Sequence, residues 1–413
     1  MSPKSILVDQ KKKRRPLHLG VDVPLLLVVI TLIAFGLLML YSASWQYAVS
    51  IMGQKPSYLL ERQIKFVLLG SLAAVIAFFL DYHKMKKLVI PGMVITLIML
   101  LLVIFYVNEV RLGARRGLFQ GSIQPSELAK LVLIIYLAFW LHSKQGLLHH
   151  FTFGMLPMAV ILGIASALIL FQPDLSAAIT IFIIGGLMFF MAGGEMRQII
   201  PALIISLVVG VSFVFFYSTG KERIISFIQG IQDPRMASYH LVRSFEAIVN
   251  GGIFGVGIGR ANTKFTGLPV APTDSIFSVI AEETGIIGAG FIIILFSIFL
   301  WRGLTIAKQS PDLLGRLLAS GITVWIFLEA FINMSVLVNL LPFAGNALPF
   351  ISYGGSSLTM VMVGVGIIMS VARQTAIKTN QEEGRPLNAV VSLRRNDGWR
   401  SVSRTRRPSS ARK

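Results

Sequence analysis

The sequence predicts an all-α polytopic membrane protein of about ten transmembrane helices, with both termini cytoplasmic and a large extracytoplasmic loop between the seventh and eighth helices. Three observations carry that prediction. The chain is 54% hydrophobic and only 14% charged over 413 residues, whereas charged residues make up about a quarter of a soluble globular domain. Its apolar residues come in runs of about 20, enough for a helix to cross ~30 Å of hydrocarbon, and they lack the strand-type alternation of a membrane barrel. The Lys and Arg residues lie mostly between those runs, with a bias toward one side.

A basic tail, 1–21, carries KKKRR at 11–15 and precedes the first run, 22–44, which is too long for the apolar core of a signal peptide and is expected to stay in place. Further spans are expected at 63–81, 88–107, 125–142, 154–171, 174–192, 198–217, 274–301, 317–340 and 354–372. Together, 22–372 form the membrane domain, with 218–273 as its large outer loop and 373–413 as a basic tail of disordered character. Assigned to alternate loops, 25 of the 38 Lys and Arg fall on the side of the termini and 13 on the other, which makes the termini cytoplasmic. The net charge of +19 does not imply nucleic acid, because the tail has no folded recognition pattern and a single aromatic residue, Trp399. Anionic lipid headgroups or a cytoplasmic partner suit it better. There are no cysteines, so disulfides and thiolate metal sites do not arise.

Several polar groups break the apolar pattern on the outer side. Arg111, Arg115 and Arg116 stand close together after the third span. They either reach outer headgroups and pair with Glu109, or form a site for an anionic ligand, since guanidinium matches phosphate oxygens with two parallel bonds. Pro125 suits a helix start, which puts Glu127 and Lys130 three residues apart on one face at the membrane, as a structural ion pair or as functional charges. In the large loop, SYHLVRSFEAIV has helical spacing, with Arg243 and Glu246 three apart, and GGIFGVGIG at 251–259 reads as a tight turn or a re-entrant approach, with no strand before it to make a dinucleotide site.

The segment LPVAPTDSIFSVIAEETG at 268–285 carries three acids. Thr273 is expected to cap a regular helix with Asp274 in its first turn, where the carboxylate either only caps or does chemistry. On such a helix Glu282 lies about 12 Å deeper, so Glu282 and Glu283 read as buried, neutral or paired carboxyls. Asp174 sits in a short outer turn, and NALPFISYGGSS at 346–357 forms a Gly/Ser/Tyr-rich re-entry.

Seven motifs in this order resemble the SEDS family of bacterial membrane proteins: YSAS at 41–44, GARR at 113–116, QPSELAK at 124–130, QPDL at 172–175, GGIFGVGIG at 251–259, LPVAPTDSIFSVIAEETG at 268–285 and LPFISYGGSS at 348–357. The resemblance covers most of the chain and leans to the division branch over the elongation branch. It implies a ten-helix peptidoglycan glycosyltransferase that polymerises lipid II on the outer membrane face, with a class B penicillin-binding protein and other divisome or elongasome membrane proteins as partners. On that reading Asp274 matches the family's essential aspartate and is the expected general base, inverting the anomeric centre. Arg115, Arg116, Glu127 and Lys130 match its charged motif, and with Arg243, Ser352 and Tyr353 they form the expected substrate-binding set. No protein metal site is expected; a divalent cation, Mg or Mn, is compatible with the diphosphate but no ligand cluster demands one. The chain departs from the family pattern at Gly117 (commonly Trp), Pro272 (often His), Ser275 (often Phe) and Arg243 (usually Gln). The rival expectation is a flippase that moves lipid II across the membrane.

Overall fold

The computed structural model describes residues 20–106, 124–172, 174–216, 218–265, 267–342 and 345–400. Among them, twelve α-helices run in order: α1 (Val23–Ser50), α2 (Tyr58–Phe79), α3 (Lys86–Tyr106), α4 (Pro125–Ser143), α5 (Met155–Leu170), α6 (Leu175–Met191), α7 (Met196–Phe216), α8 (Ser218–Gln232), α9 (Tyr239–Gly251), α10 (Ile276–Gln309), α11 (Leu313–Leu337) and α12 (Gly355–Arg400). Each predicted span coincides with one helix. Seven helices are long and apolar enough to cross a membrane, the last of them over Gly355–Thr379, while Met155–Leu170, Leu175–Met191 and Met196–Ser212 are shorter apolar stretches. At 1.5 Å per residue, a helix of 16 residues covers about 24 Å, less than the full hydrocarbon thickness. α8 and α9 add two helices inside the large loop, and α12 continues past residue 372 to Arg400.

Local chemistry sets the helix ends. Asp22 caps α1 by accepting from the Leu25 amide (2.9 Å), and its carboxylate also pairs with Arg302 (2.5 Å), which joins the start of α1 to α10. Asp312 caps α11 through the Gly315 amide (2.9 Å) and accepts from the Tyr82 hydroxyl (2.9 Å), so the turn before α3 is tied to the turn before α11. Pro91 and Pro201 lie inside α3 and α7, a placement that membrane helices tolerate.

α11 is the central helix, packed against α4, α6, α10 and α12, and its Trp325 is fully enclosed. α2 lies along α12 at the periphery. Small residues permit their close approach: a side chain at Gly366 would overlap the Ala74 carbonyl. The opposite side of α2 exposes Leu68, Leu72, Val75 and Ile76, the composition of a surface that faces lipid tails.

The regular helix expected from Asp274 onward is corrected in two respects. α10 starts at Ile276, with Ser275 in the capping position, so Asp274 precedes the helix and Thr273 is not its cap. The helix is also broken at Gly285, whose φ of 69° is left-handed. The reason is a strand-like contact with the glycine-rich loop. Val256 and Gly257 amides donate to the Glu282 and Glu283 carbonyls (3.0 Å each), and Ile286 and Ile287 amides donate to Gly252 and Ile253 (3.0 and 3.3 Å). A side chain at Gly285 would overlap the Ile253 carbonyl. Gly285→Ala combines that overlap with a left-handed conformation costing about 1–2 kcal/mol, so its thermal midpoint in detergent is expected several degrees below the parent, measured by following unfolding of the purified protein.

Candidate active site

Two buried polar clusters meet near the loop before α10. The first begins on α4, where Pro125 starts the helix and Glu127 falls in its first turn. Lys130, three residues on, lies on the same face and its ammonium donates to Glu127 (2.8 Å) and to Glu329 of α11. Lys130 is 1% exposed, Glu127 6% and Glu329 2%. Trp325, one turn before Glu329, donates its indole N–H to the same carboxylate (2.7 Å) and places its ring 5.8 Å from the Lys130 ammonium. Two carboxylates thus share one cation in a dry setting. Lys130 is enclosed by protein and its charge is matched by acids, and it pairs with Glu127 as the three-residue spacing allowed. Among the described residues the second oxygen of Glu127, Oε2, is buried without a hydrogen-bond partner.

The second cluster holds the main chain around Asp274. Asn333, one turn beyond Glu329, donates to the Asp274 carbonyl (3.0 Å) and to the Asn346 carbonyl (2.5 Å). Asn346 in turn donates to the Glu329 carbonyl (3.3 Å). The Ser352 hydroxyl donates to the Thr273 carbonyl (2.6 Å) and accepts from the Leu348 amide (2.8 Å), while the Tyr353 amide donates to Pro272 (2.9 Å). The re-entrant segment is therefore stitched to the segment carrying Asp274. Ser352 has its hydroxyl engaged in that stitch, whereas Tyr353 is half-buried. Val270 and Phe350, one in each stitched segment, have φ of 51° and 66°. Such values in a β-branched and an aromatic residue mark strain of the kind that gathers at functional sites. Asp274 itself is half-buried.

The other two acids of the segment are structural, as expected, and the structure supplies their partners. Glu282 accepts from the Asn262 amide (2.9 Å) and from the Thr263 hydroxyl. Glu283 pairs with Lys264 (2.7 Å) and accepts from Ser42 of the YSAS motif (2.6 Å). Together they pin the glycine-rich loop to α1 and α10. Asp174 caps α6 through the Ala177 amide (3.3 Å) and accepts from Ser176 (2.9 Å).

Arg243, on α9, pairs with Glu246 (2.6 Å) and stacks on Tyr239 at 5.3 Å. Arg111, Arg115, Arg116 and Gly117 lie outside the described residues. His240, one turn before Ser244 on α9, reaches the loop instead. Since the Ser275 hydroxyl donates to the Pro269 carbonyl (2.7 Å), it accepts from His240 Nε2–H (2.7 Å). Burial pushes this imidazole down to about 4. The native state favours neutral His240, so its contribution to stability is full above about 6.5 and lost as pH falls from there toward 4. The thermal midpoint is expected to drop across that window, and His240→Gln to flatten the drop, as measured by unfolding scans from pH 7.5 to 4.5.

Sequence reasoning missed Trp325, Glu329 and Asn333. A signal was present: the three recur every four residues in the otherwise apolar WIFLEAFIN, which puts them on one face of a membrane helix. Gln63 and Lys264 were also missed, and only contacts distant in sequence reveal them.

The fold and this site define a multi-pass, all-helical membrane protein with one half-buried carboxylate beside a buried ionic network. The family model described as "Cell cycle protein", for FtsW, RodA and SpoVE, matches residues 23–377. The chain belongs to that family. It is 38% identical over 358 residues to a probable peptidoglycan glycosyltransferase FtsW of Geobacter metallireducens, covering 85% of this chain and 94% of the relative. With the stage V sporulation protein E of Bacillus subtilis it shares 37% over 354 residues, covering 84% and 96%. Among solved structures, the rod shape determining protein RodA of Thermus thermophilus superposes with a TM-score of 0.64 at 27% identity, covering 87% of this chain and 99% of that one. A chain of a peptidoglycan synthase complex, described as coordinating polymerization and crosslinking, gives 0.70 at 27%, covering 86% and 99%.

Proposed function

We propose that this protein is a peptidoglycan glycosyltransferase that polymerises lipid II on the outer face of the cytoplasmic membrane, in septal wall synthesis. The observation that carries the reading is Asp274: its main chain is clamped by Asn333, and its neighbours Thr273 and Pro272 by the 348–353 segment. The FtsW relatives, which match over most of their length, support the reaction class. An outer position for this loop is supported by the hydropathy pattern and by the bias of Lys and Arg toward the side of the termini.

In the reaction a sugar hydroxyl of the acceptor attacks the anomeric carbon of the donor. Its proton passes to the Asp274 carboxylate, the new glycosidic bond forms with inversion, and the bond to undecaprenyl diphosphate breaks. Diphosphate is a good leaving group, so one base suffices and no second carboxylic acid is needed to protonate it. Arg115 and Arg116 supply cations for the departing charge. Lys130 contributes through the ionic network that carries Glu329, and Glu329 holds Asn346 at its carbonyl. A divalent cation, Mg or Mn, would be held mainly by the substrate's phosphate oxygens, because no group of three or more metal-ligating side chains forms among the described residues. The partner is a class B penicillin-binding protein, which crosslinks what this chain polymerises.

The test is purified protein with labelled lipid II, with and without the cognate penicillin-binding protein. Glycan strands are expected, more with the partner present. Transfer of lipid II across a liposome bilayer with no polymer would overturn the reading in favour of a flippase.

A further inference from the structure

Three described cations around the Asp274 loop are already matched by acids: Lys130 by Glu127 and Glu329, Lys264 by Glu283, Arg243 by Glu246. Arg62, in the second turn of α2, is not. It is part-buried, its guanidinium donates to the Tyr58 hydroxyl (3.3 Å) and lies 5.7 Å from that ring. No carboxylate pairs with it among the described residues, and the adjacent Glu61 accepts instead from Ser57 (2.6 Å).

Its position is set by the next residue. Gln63 is buried and donates through Nε2 to the Ser352 carbonyl (3.1 Å), while its Oε1 accepts from the Gly354 amide (3.4 Å). Gln63 therefore clamps the start of α2 to both sides of Tyr353. Burial pushes the Tyr353 phenol up, and the Arg62 charge pulls it the other way. Through Ser352 and Tyr353 the same turn is bonded to Thr273 and Pro272, immediately before Asp274.

We propose that Arg62, flanked by Tyr58 and Tyr353, is a lipid-phosphate site that takes the diphosphate of a polyprenyl-linked sugar substrate. A guanidinium presents paired N–H donors that fit two phosphate oxygens, and the phenols of Tyr58 and Tyr353 can each donate one more. The apolar, exposed side of α2 leads away from this point, so a polyprenyl tail can lie along the helix while the phosphates stay at its outer end. Arg62 thus receives the leaving group within reach of the loop that holds the base. The proposal rests on the glycosyltransferase reading above, and it concerns binding where that reading concerns proton transfer.

Anionic headgroups offer the same phosphate chemistry, so the test separates the two sources. Full-length protein is placed in nanodiscs of phosphatidylcholine, and in a second set containing phosphatidylglycerol. Binding of undecaprenyl diphosphate is measured for the parent, Arg62→Gln, Arg62→Lys and Asp274→Asn, and KM and kcat for lipid II are measured in parallel. Arg62→Gln is expected to weaken undecaprenyl diphosphate binding about tenfold and to raise KM more than it lowers kcat. Arg62→Lys, which keeps the charge and loses the fork, is expected to weaken it about threefold, and carries the test if the Gln variant does not fold. Asp274→Asn is expected to bind like the parent. Unchanged binding in both Arg62 variants overturns the proposal. So does a loss confined to phosphatidylglycerol retention, which assigns Arg62 to bulk headgroups. If Asp274→Asn polymerises normally while Arg62→Gln loses binding, the base assignment fails and the phosphate site stands.

Discussion

Asp274→Asn is expected to lower lipid II polymerisation by at least about a hundredfold, within the roughly 10²–10⁴ that a positioned general base contributes. The amide matches the carboxylate in shape but does not accept the acceptor hydroxyl's proton at neutral pH. The main-chain anchor survives the change, because Asn333 donates to the backbone carbonyl of residue 274 and Ser352 to that of residue 273. The thermal midpoint should therefore stay within a few degrees of the parent while activity collapses. A rate near that of the parent in the purified assay would remove Asp274 as the base. Asn333→Ala supplies the contrast: it leaves the carboxylate in place and frees its backbone.

Lys130→Met carries the largest expected loss of stability. Removing one member of a buried ion pair costs about 3–5 kcal/mol, because the remaining charge stays desolvated. Here two carboxylates, Glu127 and Glu329, would face each other without the ammonium that now joins them. Low yield and a thermal midpoint lower by many degrees are expected in detergent. Adding Glu329→Gln to Lys130→Met should recover part of the loss, since it removes one of the stranded charges and keeps a group that accepts from the Trp325 indole. If the double variant were no more stable than Lys130→Met, like-charge repulsion would not be the cause.

The charge pattern of α4 was readable because Glu127 and Lys130 are three apart on one helix, and spacing of that kind is local. Their third partner was not, since Glu329 lies 199 residues beyond Lys130. The same distinction separates the acids of the segment at 268–285. That Glu282 and Glu283 are buried followed from the helical rise after Asp274 into the apolar run. What holds each of them did not: Glu283 needs Lys264 and Ser42, and Glu282 needs the 262–263 backbone. The regular helix expected there failed at Gly285 because a second strand of backbone, 252–257, competes for the carbonyls of that turn.

By itself the sequence determined that this is a helical membrane protein, where its apolar helices run, and which ordered motifs tie it to its family, since hydropathy, helix length and short motifs are properties of neighbouring residues. Only the tertiary structure decided which charges are matched and which stay open. A pairing such as Lys130 with Glu329, or the lack of an acid partner for Arg62 among the described residues, depends on which helices pack side by side. That packing is what brings Asn333, Ser352 and Gln63, from three different parts of the chain, to hold one aspartate and one arginine around the same turn.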